Sequence, residues 1–156
     1  VTTLPLIAAG GIATGEAMLA ARVLGAEGVQ IGTRFALTAE SSANEVFKDY
    51  CLHLEEGDTR LLLKKLAPVR LVRNNFRSAV EAAEAVGASE EELRILLGRG
   101  RAKRGIFEGD LEEGELEIGQ VSVLLHGKGV QSVASVMQEL VEESRRAWER
   151  MQELDF

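Results

Sequence analysis

Apolar residues follow two rhythms along the chain. Over the first forty positions they come in short unbroken runs: Leu4 to Ala9, closed by Gly10 and Gly11, and Gly28 to Gly32, reading GVQIG. Glycine-bounded runs of this length mark strands covered on both faces, as in parallel sheets. Between them Ala17, Ala20, Ala21 and Leu24 recur at helical spacing over Gly15 to Leu24, and Gly25 offers a C-terminal stop. Strand, helix and strand in that order predict a βαβ unit with parallel strands and a right-handed crossover.

After Phe35 the rhythm becomes helical. Ser42 with Glu45 three residues on predicts a capping box opening a helix over Ala43 to Glu56, stopped by Gly57. The run TRLLLKKLAPVRLVR, from Thr59 to Arg73, is apolar and basic together; Pro68 breaks any helix there, so an extended or irregular connection is expected. Asn74 can cap a helix running to about Val86, and Ser89 with Glu92 predicts a second capping box before a short helix ending at Gly98. Arg99 to Gly105 and Glu108 to Gly114 read as loops. Gln131 to Gln152 reads as a long amphipathic helix carrying Val133, Val136, Met137, Leu140, Ala147, Trp148 and Met151 on one face.

Two parallel strands cannot stand alone, because each needs hydrogen-bond partners on both edges and cover on both faces. Together with a start at a buried strand without methionine, this leads us to expect the C-terminal part of a longer protein. No apolar run approaches the 18 to 20 residues, roughly, of a membrane span, and the N-terminus lacks a basic signal-peptide region, so a soluble, cytoplasmic protein is expected. Cys51 is the only cysteine, which excludes an internal disulfide and a cysteine zinc site. The net charge of -7 is uneven: -5 over residues 1–59, +6 over 60–104 and -8 over 105–156. An acidic chain with one basic segment argues against nucleic-acid binding. The basic segment can meet an anionic cofactor, an acidic carrier or the acidic C-terminal third of the same chain.

The chemistry concentrates at two strand ends, AAGGI (Ala8 to Ile12) and GVQIGTRF (Gly28 to Phe35). Both fall at the C-terminal ends of consecutive parallel strands, where α/β sheets and barrels place ligands. Glycine lets backbone N–H groups approach an anion, the Thr33 hydroxyl adds a donor, and a following helix N-terminus adds favourable partial charge. A phosphate fits this pattern, against the alternative that the glycines merely turn the chain. The arrangement matches the phosphate site after strands seven and eight of a (β/α)8 barrel.

The string LPLIAAGGIATGEAMLAARVLGAEGVQIGTRFALTAES resembles the FMN-binding end of the nitronate monooxygenase family, which includes flavin-dependent enoyl-acyl-carrier-protein reductases. EGDLEEGELEIGQVSVLL resembles that family's C-terminal turn and strand-like segment. The resemblance implies an α/β fold, the C-terminal part of a TIM (β/α)8 barrel (its last two strands) with an added small helical subdomain. The expected regions are 1–41 for the βαβ part, 42–118 for the helical subdomain, and 119–156 for a segment and helix returning to the barrel. By the same resemblance Gly11, Gln30, Ile31, Gly32 and Thr33 hold the FMN phosphate and its neighbourhood, Gly10 shapes the turn beside them, and Gln120 touches cofactor or substrate. The family's small residues after GQ are replaced here by Val121, Ser122 and Val123.

The family's catalytic histidine belongs to an earlier strand outside these residues. His53 and His126 carry no mark of a catalytic partner, and Cys51 reads as a small core residue. The expected function is therefore an FMN-dependent oxidoreductase acting on alkyl nitronates with O2. The related alternative is a reductase drawing electrons from NAD(P)H, and a further one is a noncatalytic phosphate-binding or assembly module. The expected partner is a small-molecule substrate, with a homodimer as an open option and neither nucleic acid nor membrane.

Overall fold

The structure, a computed structural model, describes residues 3–153, so residues 1–2 and 154–156 at the outer ends of the first and third expected regions lie outside the described residues. The expected βαβ unit forms from β1 (Ile7–Ala9), α1 (Gly15–Val23) and β2 (Gly28–Gln30), with β1 and β2 parallel and Ile7 opposite Gly28. The Thr14 side chain caps α1 by accepting from the Ala17 N–H at 3.2 Å. Burial departs from expectation: among the described residues β1 and β2 pair only with each other, and Ile7 is 53% exposed.

A short helix α2 (Thr33–Ala36) follows β2 directly, and α3 (Glu45–Leu52) comes next. Its cap is Asn44, whose side chain accepts from the Val46 N–H at 2.9 Å, rather than Ser42. The capping box fails because Glu45 Oε1 is engaged by Lys48 Nζ at 2.9 Å, one turn along the same helix. The helix also stops at Leu52 rather than Glu56, and Leu54 turns into the core.

The expected connection over 59–73 is a regular antiparallel hairpin of β3 (Thr59–Leu62) and β4 (Val69–Val72), with Thr59 opposite Val72. Pro68 sits one residue ahead of β4, where its missing N–H costs the ladder nothing. The 42–118 region is thus mixed α and β, not purely helical. Beyond the hairpin, α4 (Asn75–Ala85) is capped by Asn74, and α5 (Glu90–Leu97) carries the expected Ser89–Glu92 capping box. Residues 103–107 make one π-helical turn, which takes in the end of the loop expected over Arg99 to Gly105.

The Leu116 carbonyl accepts from the Val72 N–H at 2.9 Å and Glu117 bridges Leu71, so the chain runs briefly as a third strand beside β4. The strand-like character ends there, because Gln120–Leu125 coils into a 3-10 segment. The long helix α6 (Val133–Gln152), capped by Ser132, lies against α1. It buries Val136, Leu140 and Ala147, while Met137, Trp148 and Met151 of the expected apolar face stay exposed.

Two apolar clusters hold the chain together. One gathers Phe47, Cys51, Leu52, Val72 and Leu116; the other gathers Leu63, Leu71, Phe76, Val80 and Leu93. Adjacent residues Leu71 and Val72 serve opposite clusters, as side-chain alternation along a strand requires. Burial pushes the Cys51 thiol up to about 12, so it is an inert core residue, as expected. Among the described residues no helix is long and apolar enough to cross a membrane, and no cluster of three metal-ligating side chains occurs.

Candidate functional site

The C-terminal ends of β1 and β2 open onto a cleft of about 710 Å³ whose far wall is Glu117 to Val121. Gly10, Gly11, Gln30, Gly32, Thr33 and Gln120 all line it, so six of the seven expected site residues come together. Ile31 does not line it. Between Gln30 and Gly32 it occupies the alternate position of the extended chain and falls off the cleft side.

Local backbone geometry explains the glycines. Gly10 and Gly11 have φ of 83° and 73°, a region that a side chain disfavours. A Cβ added at Gly10, Gly11 or Gly32 would meet no atom within 4 Å, so these positions border open space rather than packed protein. Gly32 begins α2 without a side-chain cap, and the first N–H groups of a helix have no partner within it. The first N–H of α1 differs, because Gly15 donates to Glu143 Oε2 at 2.7 Å. Of the two helix starts near the cleft, α1 is therefore already met by a carboxylate. Thr33 Oγ1 accepts from the Gly119 N–H at 3.2 Å, which ties the two walls and leaves its hydroxyl hydrogen to donate.

Beneath this wall Arg34 is 2% exposed and donates from Nη1 to the Ala13 carbonyl at 2.7 Å. Its Nη2 meets Glu139 Oε2 at 2.5 Å, and Nη1 lies 3.8 Å from Glu143. One guanidinium thus joins both glycine loops to α6. Burial alone would raise the Glu139 carboxyl, but hydrogen bonds from Lys128 and Gln131 and the Arg34 charge outweigh it and hold it at about 2.

The far wall carries the opposite case. Burial raises the Glu117 carboxyl. Burial, with the charge of Glu117, pushes Glu115 up to about 7 against the opposing pull of Arg101. Arg70 shares the cleft lining and forms no salt bridge among the described residues. Arg70 belongs to the basic segment that the sequence offered either to an anion or to solvent, and the structure brings it to the cleft, whereas Glu117 did not stand out in the sequence. The available signal was the run GELEIGQ, whose alternating acids suit a strand with one wet face. His53 and His126 form an edge-to-face pair with ring centroids 6.0 Å apart, and neither lines the cleft.

A family model described as nitronate monooxygenase matches residues 1–143. A probable nitronate monooxygenase of Staphylococcus haemolyticus is 49% identical over 57 residues, which are 36% of this chain and 16% of that protein. Among solved structures, FabK from Thermotoga maritima superposes with a TM-score of 0.83 at 34% identity, covering 97% of this chain and 47% of that one. The nitroalkane oxidase from Streptomyces ansochromogenes superposes with a TM-score of 0.71 at 27% identity, covering 96% of this chain and 42% of that one. The chain therefore spans less than half the length of these structural relatives. By the match over residues 1–143, it belongs to the nitronate monooxygenase family.

Proposed function

We propose that the cleft binds FMN, and that the protein is an FMN-dependent oxidoreductase oxidising alkyl nitronates with O2. The observation that carries this reading is the convergence of two glycine strand ends and the Thr33 hydroxyl on one open cleft. The donor set suits a phosphate monoester: backbone N–H groups at Gly11 and at the uncapped start of α2, the Thr33 hydroxyl, and no carboxylate among the residues from Ala9 to Ile12 or from Gln30 to Ala36 that line the cleft. Gln30 and Gln120 are amides able both to donate and to accept, which suits the polar edge of a flavin ring.

When bound, FMN supplies the redox chemistry. The residues of this chain bind and orient it. Gly11 and Gly32 admit the phosphate without side-chain crowding, Thr33 donates to it, and Arg34 holds the two loops in register from below. In this reading β1, α1 and β2 are the last two strand units of a (β/α)8 barrel, and residues 42–118 form its added subdomain. The half-exposed Ile7 and the sparsely paired parallel strands accord with further strands beside them.

The higher similarity to FabK than to the nitroalkane oxidase supports a second reading, a flavin-dependent reductase that takes electrons from NAD(P)H. The visible spectrum of the purified full-length protein, with identification of any released flavin, tests the cofactor. A colourless protein that stays colourless when FMN is added would sink both readings. Nitronate-driven oxygen uptake compared with NAD(P)H oxidation then separates the monooxygenase from the reductase.

A further inference from the structure

Among the described residues Arg70 and Glu117 are the only charged members of the strand-end cleft lining, and both come from β4 and the strand beside it, opposite the glycine loops. The glycine wall itself offers an amide, a hydroxyl and backbone N–H groups but no ionisable side chain. Arg70 is half-buried, and its Nη1 makes long contacts to the Thr59 carbonyl (3.4 Å) and hydroxyl (3.3 Å). Glu117 is exposed, and its carboxylate has no hydrogen bond or ion pair with any described residue, Arg70 included. Two residues back on the same strand, Glu115 is 7% exposed, and its carboxylate has no such partner either. Arg101 acts on Glu115 only through its charge, because its N–H groups are taken by the carbonyls of Leu96, Leu97 and Glu113. Partial burial raises the carboxyls of both acids, and the charge of Glu117 adds to the shift of Glu115. No cation therefore holds Glu117 in its ionised form.

From this arrangement we propose that FMN binding is proton-coupled through Glu117: as the cofactor fills the cleft, the Glu117 carboxylate takes one proton from solvent and stands beside the cofactor as a neutral acid. The inference rests on the flavin reading and goes beyond it, since the phosphate donors on the glycine wall do not call for a carboxyl on the other. Two effects drive the uptake. A flat ligand displaces the water that stabilises the ionised carboxylate, and the FMN phosphate brings negative charge into the same cleft; both favour the neutral acid. Once protonated, Glu117 can donate a hydrogen bond into the cleft, which the carboxylate cannot. Affinity is then highest where Glu117 is already protonated in the empty cleft. It falls as the pH rises toward the higher value that the carboxyl takes in the filled cleft, and levels off above it. Each unit by which FMN raises that carboxyl is a tenfold loss of affinity at high pH.

Titration of the full-length apoprotein with FMN, read by flavin fluorescence in wild type and Glu117→Gln, tests the coupling. The amide imitates the neutral acid, so the two proteins are expected to bind FMN alike at about pH 5, and the variant about tenfold tighter than wild type at about pH 8.5. The FMN phosphate titrates in both proteins and cancels in the ratio. Calorimetry in two buffers of different protonation heat counts the protons directly, and wild type is expected to take up more than the variant. Riboflavin has no phosphate to titrate, so proton uptake on its binding to wild type is a readout that stands even where the variant does not fold. An affinity ratio that is the same at both pH values, or riboflavin binding to wild type without proton uptake, would overturn the inference and leave the flavin reading standing. A wild-type protein that binds neither flavin at either pH would overturn the flavin reading and the inference with it.

Discussion

The seam between α1 and α6 begins at Gly15, four residues past Gly11 of the cleft, yet the two regions use glycine and carboxylate in opposite ways. At the seam, a Cβ on Gly15 would collide with the backbone of Ser144 and Leu140, so glycine is there to let two helices touch. At the cleft, a Cβ on Gly10, Gly11 or Gly32 would touch nothing, so glycine is there to keep space empty. The carboxylates divide the same way. Glu139 and Glu143 at the seam are met by Arg34, Lys128 and a backbone N–H, whereas Glu117 in the cleft wall, and the buried Glu115 two residues before it, carry raised affinities for a proton. Packed regions satisfy their polar groups internally, and a site leaves some of them to be satisfied by what it binds.

Substitutions can break this contrast. The largest effect is expected for Gly15→Val, which forces α1 off α6 and should cost about 3 kcal/mol of stability or more by overpacking. Chemical denaturation reads it, and a loss under about 1 kcal/mol would mean that the seam is not tightly closed. Gly11→Val is the counterpart at the cleft. Its backbone strain is about 1–2 kcal/mol, while FMN affinity should fall about 100-fold because the side chain fills the phosphate space. Unchanged flavin content in that variant would remove Gly11 from the site.

Glu139→Gln sharpens the comparison through pH. Its carboxyl is held at about 2 against an ordinary value of 4.5, so the stability it contributes is present above about pH 4.5 and is lost as the pH falls toward 2. We expect a loss of about 2 kcal/mol at pH 7, with the difference from wild type vanishing near pH 2 in acid-denaturation curves. The smallest effect, with the opposite sign, is expected at Glu115, whose carboxyl is raised from 4.5 to about 7. Its contribution is fully present below about pH 4.5 and is lost as the pH climbs to 7, so Glu115→Gln should gain about 1 kcal/mol over wild type at pH 8 and none at pH 4. Parallel pH profiles for the two proteins would show that Glu115 titrates normally.

Much of the scaffold was legible because its signals are local. Asn74, Ser89 and the Gly25 stop announce helix ends through interactions spanning three or four residues, and the glycine-closed runs announce β1 and β2. The hairpin was not legible. Thr59–Leu62 and Val69–Val72 are separated by Pro68 and two lysines that read as a break, and their pairing depends on Phe76, Val80 and Leu93 covering one side from distant positions. The Ser42 box failed for a comparable reason, since Asn44 and Lys48 offered competing partners that spacing alone does not rank.

What the sequence determined by itself about the candidate site is its glycine and threonine half, because that half is built from backbone conformation, which residue type governs directly. Of its other half the sequence named only Gln120, through the family resemblance, and the tertiary structure decided the rest. Glu117, Gly119 and Gln120 reach the cleft because Leu71 and Val72 bind the 115–117 segment as a third strand, and because Gly119 lets its N–H approach Thr33 across a separation of 86 residues. Which carboxylates answer Arg34 was likewise decided by the tertiary structure, which brings Glu139 and Glu143 of α6 to it. Contacts between distant segments depend on how two clusters of apolar side chains settle against each other, and no single stretch of the chain encodes that.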